Sequence, residues 1–267
     1  MNHFELLKEY KNPDDKLCLS QVLDKIQFVH KRNQIEVTDF FDMMQISLVE
    51  SFLKKQKIQN YHFWGGFEEA ERKILFLYPE NYTQGMLEKN YSKFLKVLRI
   101  DFTPPLSTPY EHRVYLSGII KLGIKREKVG DILVRPNGAD IITLSSMENI
   151  LPKELSSLTR FQSAEISIQE LNNLQIQEKT FKQVSIIVPS LRLDNFVSDL
   201  AKTSRAKANE LITSNLVFLN GKCDWKPSKQ VEPGDIITIR RKGKFIFREI
   251  QKTTKSGNLV LLIDQYV

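Results

Sequence analysis

The fold of the last third of the chain is decided by residues 191–240, which read LRLDNFVSDLAKTSRAKANELITSNLVFLNGKCDWKPSKQVEPGDIITIR. Apolar residues at three- and four-residue spacing after Arg192 predict a helix with one apolar face. Ser204 is a suitable N-cap for a second helix. The second helix is followed by a short strand, by an Asn-Gly turn that exposes Lys222, and by an alternating strand that ends in Arg240. The stretch therefore predicts two small helices packed on a short, twisted set of strands.

Most of the positive charge of the chain lies in the same region. The sequence carries 39 lysines and arginines against 32 aspartates and glutamates, a net charge of +7. Residues 186–267 hold 14 lysines and arginines against 8 aspartates and glutamates, which accounts for +6 of the net charge. A cationic domain suggests a polyanionic partner, because released counterions favour phosphate binding. A solvated basic face is the alternative, and composition does not decide between the two.

Length and composition exclude several classes of protein. With 267 residues, of which 41% are hydrophobic and 27% charged, the chain can bury one large core or several small ones and is neither disordered nor collagenous. Its apolar runs, such as residues 74–78, fall far short of the roughly 20 residues that cross a bilayer. The N-terminus lacks the pattern of a secretory signal. We therefore expect a cytoplasmic protein with no membrane partner and with Cys18 and Cys223 reduced.

The first 82 residues are predicted to mix helices and strands. A helical apolar pattern follows Asn12-Pro13, and a second helix fits residues 40–56. Two strands, residues 61–64 and 73–78, flank the pair Gly65-Gly66. The glycine pair suits a tight turn. A phosphate-binding loop is the less favoured alternative, because nothing like a complete phosphate motif surrounds it.

Residues 83–180 are predicted to form a split βαβ domain, because the elements alternate in the order β-α-β-β-α-β. The strands are predicted at residues 94–102, 132–135, 140–144 and 164–168, and the helices from 109 to the stop at Gly123 and at 146–155. RNA-recognition modules share this order with many enzymes and regulatory domains. The order alone therefore does not give a function.

A basic loop in this domain has two interpretations. It runs from Gly123 to Gly130 and carries Lys125, Arg126 and Lys128. Three cations in a loop that feeds a strand could grip a phosphate backbone. A solvated connection pinned by the two glycines is the alternative, and periodicity alone favours that alternative.

The C-terminal pattern closely resembles the S4 domain, an RNA-binding fold named after a ribosomal small-subunit protein. The matching residues are Arg192-Leu193-Asp194, Ser204-Arg205-Ala206-Lys207-Ala208, Leu211-Ile212, Val217, Asn220-Gly221-Lys222, Pro227-Ser228 and Pro233-Gly234-Asp235-Ile236. Asn215 departs from the family, which usually has glycine after the second helix. Asparagine tolerates the left-handed conformation, so we expect the turn to survive.

The resemblance implies which side chains face RNA. Arg192, Arg205, Lys207 and Lys222 are the RNA-facing cations by this resemblance, since a small α/β core does not require them. The remaining candidate RNA contacts in the module are Ser204, Lys229, Arg240 and Arg241. Asp194 has two interpretations: a partner within the domain, for a helix N-terminus or an arginine, or a contact to the ligand. The first is favoured.

Two upstream motifs narrow the family. They are His62-Phe63-Trp64-Gly65-Gly66-Phe67 with Ala70-Glu71-Arg72, and His112-Arg113-x-x-Leu116-x-Gly118 with the stretch Leu122 to Ile132. Together with the S4-like module, they resemble the YlmH family of bacterial proteins over nearly the whole chain. The resemblance implies an α+β protein with an N-terminal α/β domain (1–82), a central RRM-like domain (83–180) and a C-terminal S4 domain (181–267).

The YlmH resemblance also implies a function. Members bind the large ribosomal subunit carrying peptidyl-tRNA and act in ribosome-associated quality control, where stalled nascent chains are extended or released. The implied partners are ribosomal RNA of the large subunit and peptidyl-tRNA, with no small-molecule substrate, and we expect a monomer. Family genes often lie beside cell-division genes, so a cell-division scaffold that contacts other proteins is an alternative.

An enzyme is the less favoured class. The four histidines lack the spacing of a zinc site, and motifs for nucleotides or a nucleophilic serine do not occur. Pseudouridine synthases share the S4 module but carry their catalytic aspartate in a large domain that follows it, whereas here only residues 241–267 follow. That tail fits one hairpin about Ser256-Gly257. We therefore predict a binding protein with no catalytic residues, cofactor or metal, and keep an accessory RNA-modification factor as a weaker alternative.

Overall fold

The computed structural model describes residues 3–177, 180–223 and 225–266. The chain forms two compact units, residues 1–177 and 178–267. Both mix helices with antiparallel sheets, as the α+β prediction requires. No helix in the described part of the chain is long and apolar enough to cross a membrane.

The first unit contains two sheets and the helices that cover them. Its elements are α1 (His3–Leu7), α2 (Pro13–Arg32), β1 (Glu36–Val37), α3 (Met43–Lys55), β2 (Tyr61–Trp64), β3 (Ile74–Leu77), α4 (Gln84–Glu88), α5 (Tyr91–Phe94), β4 (Leu95–Phe102), α6 (His112–Lys121), β5 (Val129–Arg135), β6 (Gly138–Leu144), α7 (Leu151–Ser157) and β7 (Ala164–Gln169). The three-stranded sheet has the order β1-β3-β2 and the four-stranded sheet the order β5-β6-β4-β7.

The N-terminal helices begin at caps that satisfy their free backbone N–H groups. The side chain of Asn12 accepts a hydrogen bond at the start of α2, and Asp42 and Gln45 form a capping box on α3. The predicted start of the second helix at Phe40 is wrong by three residues. Phe41 is instead extended and exchanges backbone hydrogen bonds with Lys73, because pairing with the strand region outweighs the helical pattern.

The central domain has the predicted β-α-β-β-α-β order, in β4, α6, β5, β6, α7 and β7. Its second helix starts at Leu151 rather than Ser146, since residues 145–147 form a 3-10 turn. One hydrophobic core joins this domain to the N-terminal sheet: Phe40, Ile74 and Phe76 are fully buried in the same cluster as Leu98 and Tyr115. The division at residues 82 and 83 stays a prediction, and this shared core spans it.

Residues of the motifs that carry the family resemblance connect the central domain to the N-terminal sheet. The carboxylate of Asp131 accepts hydrogen bonds from the backbone N–H groups of Glu71, at 2.7 Å, and Arg72, at 3.1 Å. The guanidinium of Arg72 donates to the carbonyl of Phe40 at 3.0 Å. Gly130 leaves room for the Phe40 ring, because a Cβ there would lie 2.7 Å from it. These residues therefore have a structural role between the two sheets.

The second unit is a five-stranded sheet with two helices on one face. Its elements are β8 (Phe181–Val188), α8 (Leu193–Leu200), α9 (Arg205–Thr213), β9 (Val217–Leu219), β10 (Ile236–Ile239), β11 (Gly243–Thr253) and β12 (Leu259–Tyr266). The sheet order is β8-β12-β11-β10-β9. Asn215 adopts a left-handed φ of 56°, as predicted. The C-terminal hairpin is also confirmed, with its turn at residues 254–258.

Candidate RNA interface

A buried carboxylate organises the basic surface of the second unit. Asp194, on the first turn of α8, is 1% exposed. Its two oxygens accept hydrogen bonds from Arg192 Nε at 3.1 Å and Nη2 at 2.8 Å. Arg205, at the start of α9, donates to Oδ2 through Nε at 3.1 Å and Nη2 at 3.0 Å. The favoured interpretation of Asp194, as a partner of arginine within the domain, is confirmed.

This geometry sets the charge state of the cluster. Burial raises the pKa of Asp194, but hydrogen bonds from Arg192 and Arg205 outweigh it and lower the pKa overall. The bond to Asp194 also raises the pKa of Arg192. The carboxylate is therefore ionised at neutral pH. The arginine side chains remain 35% and 56% exposed, so they keep faces that can meet a ligand.

Two further predicted contacts lie at the start of α9. The hydroxyl of Ser204 accepts a hydrogen bond from the backbone N–H of Lys207 at 3.2 Å, so Ser204 is the N-cap of this helix. The exposed Lys207 ammonium pairs with Glu210 one turn later, at 2.5 Å. An exposed pair of this kind is weak, and a phosphate can replace the glutamate.

A second cationic group surrounds Trp225. The indole N–H donates to the backbone carbonyl of Lys222 at 2.8 Å, and the ammonium of Lys229 lies 5.4 Å from the ring centroid. The backbone carbonyl of Lys229 accepts a hydrogen bond from the N–H of Leu193 at 2.8 Å. This bond ties the group to the start of α8, beside Arg192. Four predicted contacts, Arg192, Arg205, Lys222 and Lys229, are thus connected.

Sequence reasoning missed Trp225 as part of this surface. The signal was available, because an aromatic residue between cations, with Lys222 and Lys226 on either side, is typical of nucleic-acid surfaces. The ring is only partly buried against the core of the unit.

Arg240 and Arg241 lie apart from this group. They occupy the turn after β10, where Arg241 has a left-handed φ of 64°. The backbone N–H of Arg240 donates to the carbonyl of Leu216, at the end of β9 away from Lys222. Both side chains are exposed. The structure therefore divides the predicted contacts between the two ends of the β9–β10 pair.

The basic loop of the central domain is largely engaged within the protein. Arg126 donates to the carbonyls of Val129 at 2.6 Å and Gly130 at 2.9 Å, and burial, aided by Arg72, lowers its pKa to about 10. Lys128 pairs with Asp39 at 2.8 Å. Lys125 is exposed. A second RNA contact in this loop stays a prediction, and Lys125 is the member best placed to make it.

The face of the central sheet opposite the helices carries ion pairs rather than stacking aromatics at its centre. Arg99 donates to the fully buried Asp140 at 3.0 and 2.7 Å. Arg135, 4% exposed, pairs with Asp101 at 2.7 Å and with Asp140 at 3.1 Å. The backbone N–H of Gln175 also donates to Asp140, so the following segment covers this site. RNA-recognition modules stack bases on aromatic residues of their sheet, and these strand centres cannot do so.

Among the residues that the structure describes, no group of three or more histidines, cysteines, aspartates or glutamates could hold a metal ion.

Comparison with known proteins places these features in context. Residues 87–175 match the family model described as a putative RNA-binding domain in YlmH, and residues 191–237 match the S4 domain. The ribosome-associated protein quality control protein P2 of Bacillus subtilis is 27% identical over 244 residues, which are 91% of each chain. Small ribosomal subunit protein uS4 of Hahella chejuensis is 41% identical over 54 residues, 20% of this chain and 26% of that protein. The solved structure of cell division protein ylmH from Streptococcus pneumoniae aligns with 62% of this chain and 98% of its own, at 18% identity and a TM-score of 0.47.

Proposed function

Because the chain belongs to the YlmH family of S4-domain proteins, we propose that it binds ribosomal RNA of the large subunit carrying peptidyl-tRNA and acts in ribosome-associated quality control of stalled translation. The observation that carries this proposal is the alignment with the Bacillus quality-control protein over 91% of both chains. The alignment is too long to rest on the shared S4 domain alone.

The geometry of the second unit supports an RNA contact. Asp194 holds two arginines side by side, with part of each guanidinium exposed. A guanidinium can donate two hydrogen bonds to one phosphate or stack on a base. Lys207, Lys222 and Lys229 add point charges around this pair. We propose that these five cations form the main RNA contact, and that Arg240 and Arg241 meet a more distant phosphate.

Sedimentation of the tagged full-length protein with ribosomal particles tests the proposal. We expect the protein to migrate with large subunits that carry tRNA, and to move to the top of the gradient after ribonuclease treatment. Migration with small subunits only, or with neither, would contradict the proposed role. A ribonuclease-resistant protein complex would instead favour the scaffold alternative.

A matched pair of variants makes the test specific. Arg192→Ala with Arg205→Ala removes two cations that share one buried carboxylate. Lys25→Ala with Arg32→Ala removes two cations that share Glu36 in the first unit, at 2.9 and 3.3 Å. Each variant lowers the net charge by the same amount. We expect the first to lose ribosome association and the second to keep it, whereas equal losses would indicate a general electrostatic effect.

A further inference from the structure

Two aromatic rings lie between two cations on the outer face of the C-terminal sheet. Phe181 of β8 and Tyr266 of β12 pair across the strands, with ring centroids 4.9 Å apart in an edge-on arrangement. The guanidinium of Arg248 lies 5.7 Å from the Phe181 ring, and the ammonium of Lys244 lies 5.1 Å from the Tyr266 ring. We call these four residues, with Asp264, the aromatic patch.

Strand alternation places the aromatic patch on the side of the sheet away from the helices. Phe245 and Phe247 of β11 are buried in the core of the unit, beside α8 and α9. Lys244 and Arg248 alternate with them along the strand and therefore point to the other face. The patch lies outside residues 191–237, which match the S4 domain. It is a separate surface from the arginine pair at Asp194.

Asp264 holds one cation of the patch in place. Asp264 is 6% exposed, and its Oδ2 accepts a hydrogen bond from Arg248 Nε at 2.6 Å. Its Oδ1 is buried and has no hydrogen-bond partner among the described residues. Buried polar atoms are nearly always satisfied. Asp264 therefore fixes Arg248 on this face of the sheet, while its other oxygen stays buried and unsatisfied.

We propose that the aromatic patch binds an unpaired RNA segment by stacking bases on Phe181 and Tyr266. Proteins that bind single strands combine aromatic side chains on a sheet with nearby cations, because each base has a π face and each nucleotide a phosphate. Lys244 and Arg248 lie beside these rings and supply the positive charges that backbone phosphates would meet.

This inference rests on the proposed function, since it assumes that the chain meets RNA, and it adds a second binding mode. Base pairs inside a duplex are already stacked on their neighbours, so the patch selects unpaired nucleotides over internal base pairs. The arginine pair at Asp194 acts on phosphates, which paired RNA presents as well. The two surfaces therefore differ in which RNA they require.

Binding of the full chain to two probes tests the inference. The probes are an oligouridylate strand and a blunt RNA duplex without unpaired nucleotides. Phe181→Leu with Tyr266→Leu keeps apolar side chains and removes both π faces. We expect this variant to bind the strand about 5- to 150-fold more weakly, from the cost of losing base stacking, and to bind the duplex as before. Ile187→Ala removes an exposed apolar side chain from the same sheet and should change neither affinity.

Two further variants test stacking and charge separately. Tyr266→Trp should report stacking as a fluorescence quench on adding the strand, beyond any quench of the two natural tryptophans in the unaltered protein. Lys244→Gln should make the salt dependence of strand binding shallower by about 0.7 units, because one phosphate is no longer neutralised. Phe181→Tyr should keep most of the affinity, because tyrosine retains the π face.

The outcomes separate this inference from the proposed function. Strand binding that survives the double leucine variant, or a variant that loses strand and duplex equally, overturns the aromatic patch as a single-strand site. An unaltered protein that binds the duplex but not the strand also overturns it, and leaves the proposed function standing. Failure of the unaltered protein to bind either probe or ribosomal particles would overturn the proposed function itself.

Discussion

Two physical arguments predict opposite effects on RNA affinity when Asp194 is replaced with asparagine. The change removes one negative charge, so a purely electrostatic argument expects tighter RNA binding. At roughly 7 Å from a phosphate, and with the dielectric constant of water, that charge is worth about 3-fold in affinity before salt screening. The geometry predicts weaker RNA binding, because the carboxylate that holds Arg192 and Arg205 in place is lost.

The magnitude of the positioning effect follows from side-chain ordering. In the folded protein the two arginines are already held by four hydrogen bonds to Asp194. Without the carboxylate, the two arginine side chains become ordered only when RNA binds. This ordering lowers the affinity about 2- to 12-fold for each long side chain. We therefore expect Asp194→Asn to weaken RNA binding about 2- to 50-fold after the charge effect is deducted. The buried amide should also lower the free energy of unfolding, because it cannot replace the hydrogen bonds that the carboxylate accepted. The loss is limited to about 1–3 kcal/mol, since the arginines stay partly solvated.

The assay is fluorescence anisotropy with a structured RNA hairpin over a series of salt concentrations, with urea unfolding followed by circular dichroism. Asp199→Asn is the matched control, because it removes the same charge from the same helix, α8, and should leave affinity unchanged or slightly higher. Binding that tightens in Asp194→Asn as much as in the control would refute the positioning argument. The pKa of Asp194 is lowered, so in the unaltered protein its stabilising contribution is complete above about pH 4 and is lost as the pH falls below that.

Four other predictions follow from the same structure. Replacing Arg205 and Lys207 with alanine should leave the fold intact and make the salt dependence of RNA binding shallower by about one unit for each phosphate that the variant no longer neutralises; an unchanged slope would mean that neither touches phosphate. The fragment 181–267, which has its own core, should bind structured RNA more weakly than the full chain, and equal affinities would show that the first unit adds nothing. Lys125→Glu should reduce binding to tRNA-bearing large subunits more than to naked hairpins, because a second weak binding site on one chain acts at high effective concentration; equal losses would show only a general electrostatic effect. Burial raises the pKa of Cys18 to about 12, so iodoacetamide at mildly alkaline pH should modify it far more slowly in the folded protein than in urea, a contrast that mass spectrometry of the Cys18 peptide would detect or disprove.

The S4 region was predictable because its signals are local. Ser204 caps α9, Asn215 and the Asn220-Gly221 pair take left-handed conformations, and each acts within a few residues of its own position. The partnership of Asp194 with arginine was also predictable in kind, since a carboxylate two residues from Arg192 has a partner close by. The reach of Arg205 across to the same carboxylate depends on how the two helices pack.

The remaining features depend on pairing between distant segments. Strand β8 was not predicted, and its ladder partner, β12, lies over 70 residues later in the chain. The ion pairs of Arg99, Arg135 and Asp140 require three neighbouring strands in register. Periodicity specifies which face a residue occupies and not which residues it meets across the sheet.

The core shared by the two sheets of the first unit has a practical consequence for producing parts of this protein. Separate expression of residues 1–82 would leave Phe40, Ile74 and Phe76 without their covering partners, and residues 83–177 would lose those same side chains from their own interior. Exposed apolar surfaces of this kind promote aggregation. We expect either piece alone to be insoluble, and the two pieces produced together in one cell to recover a soluble, non-covalent complex. Fragment complementation, rather than simple truncation, is therefore the way to dissect this half of the molecule.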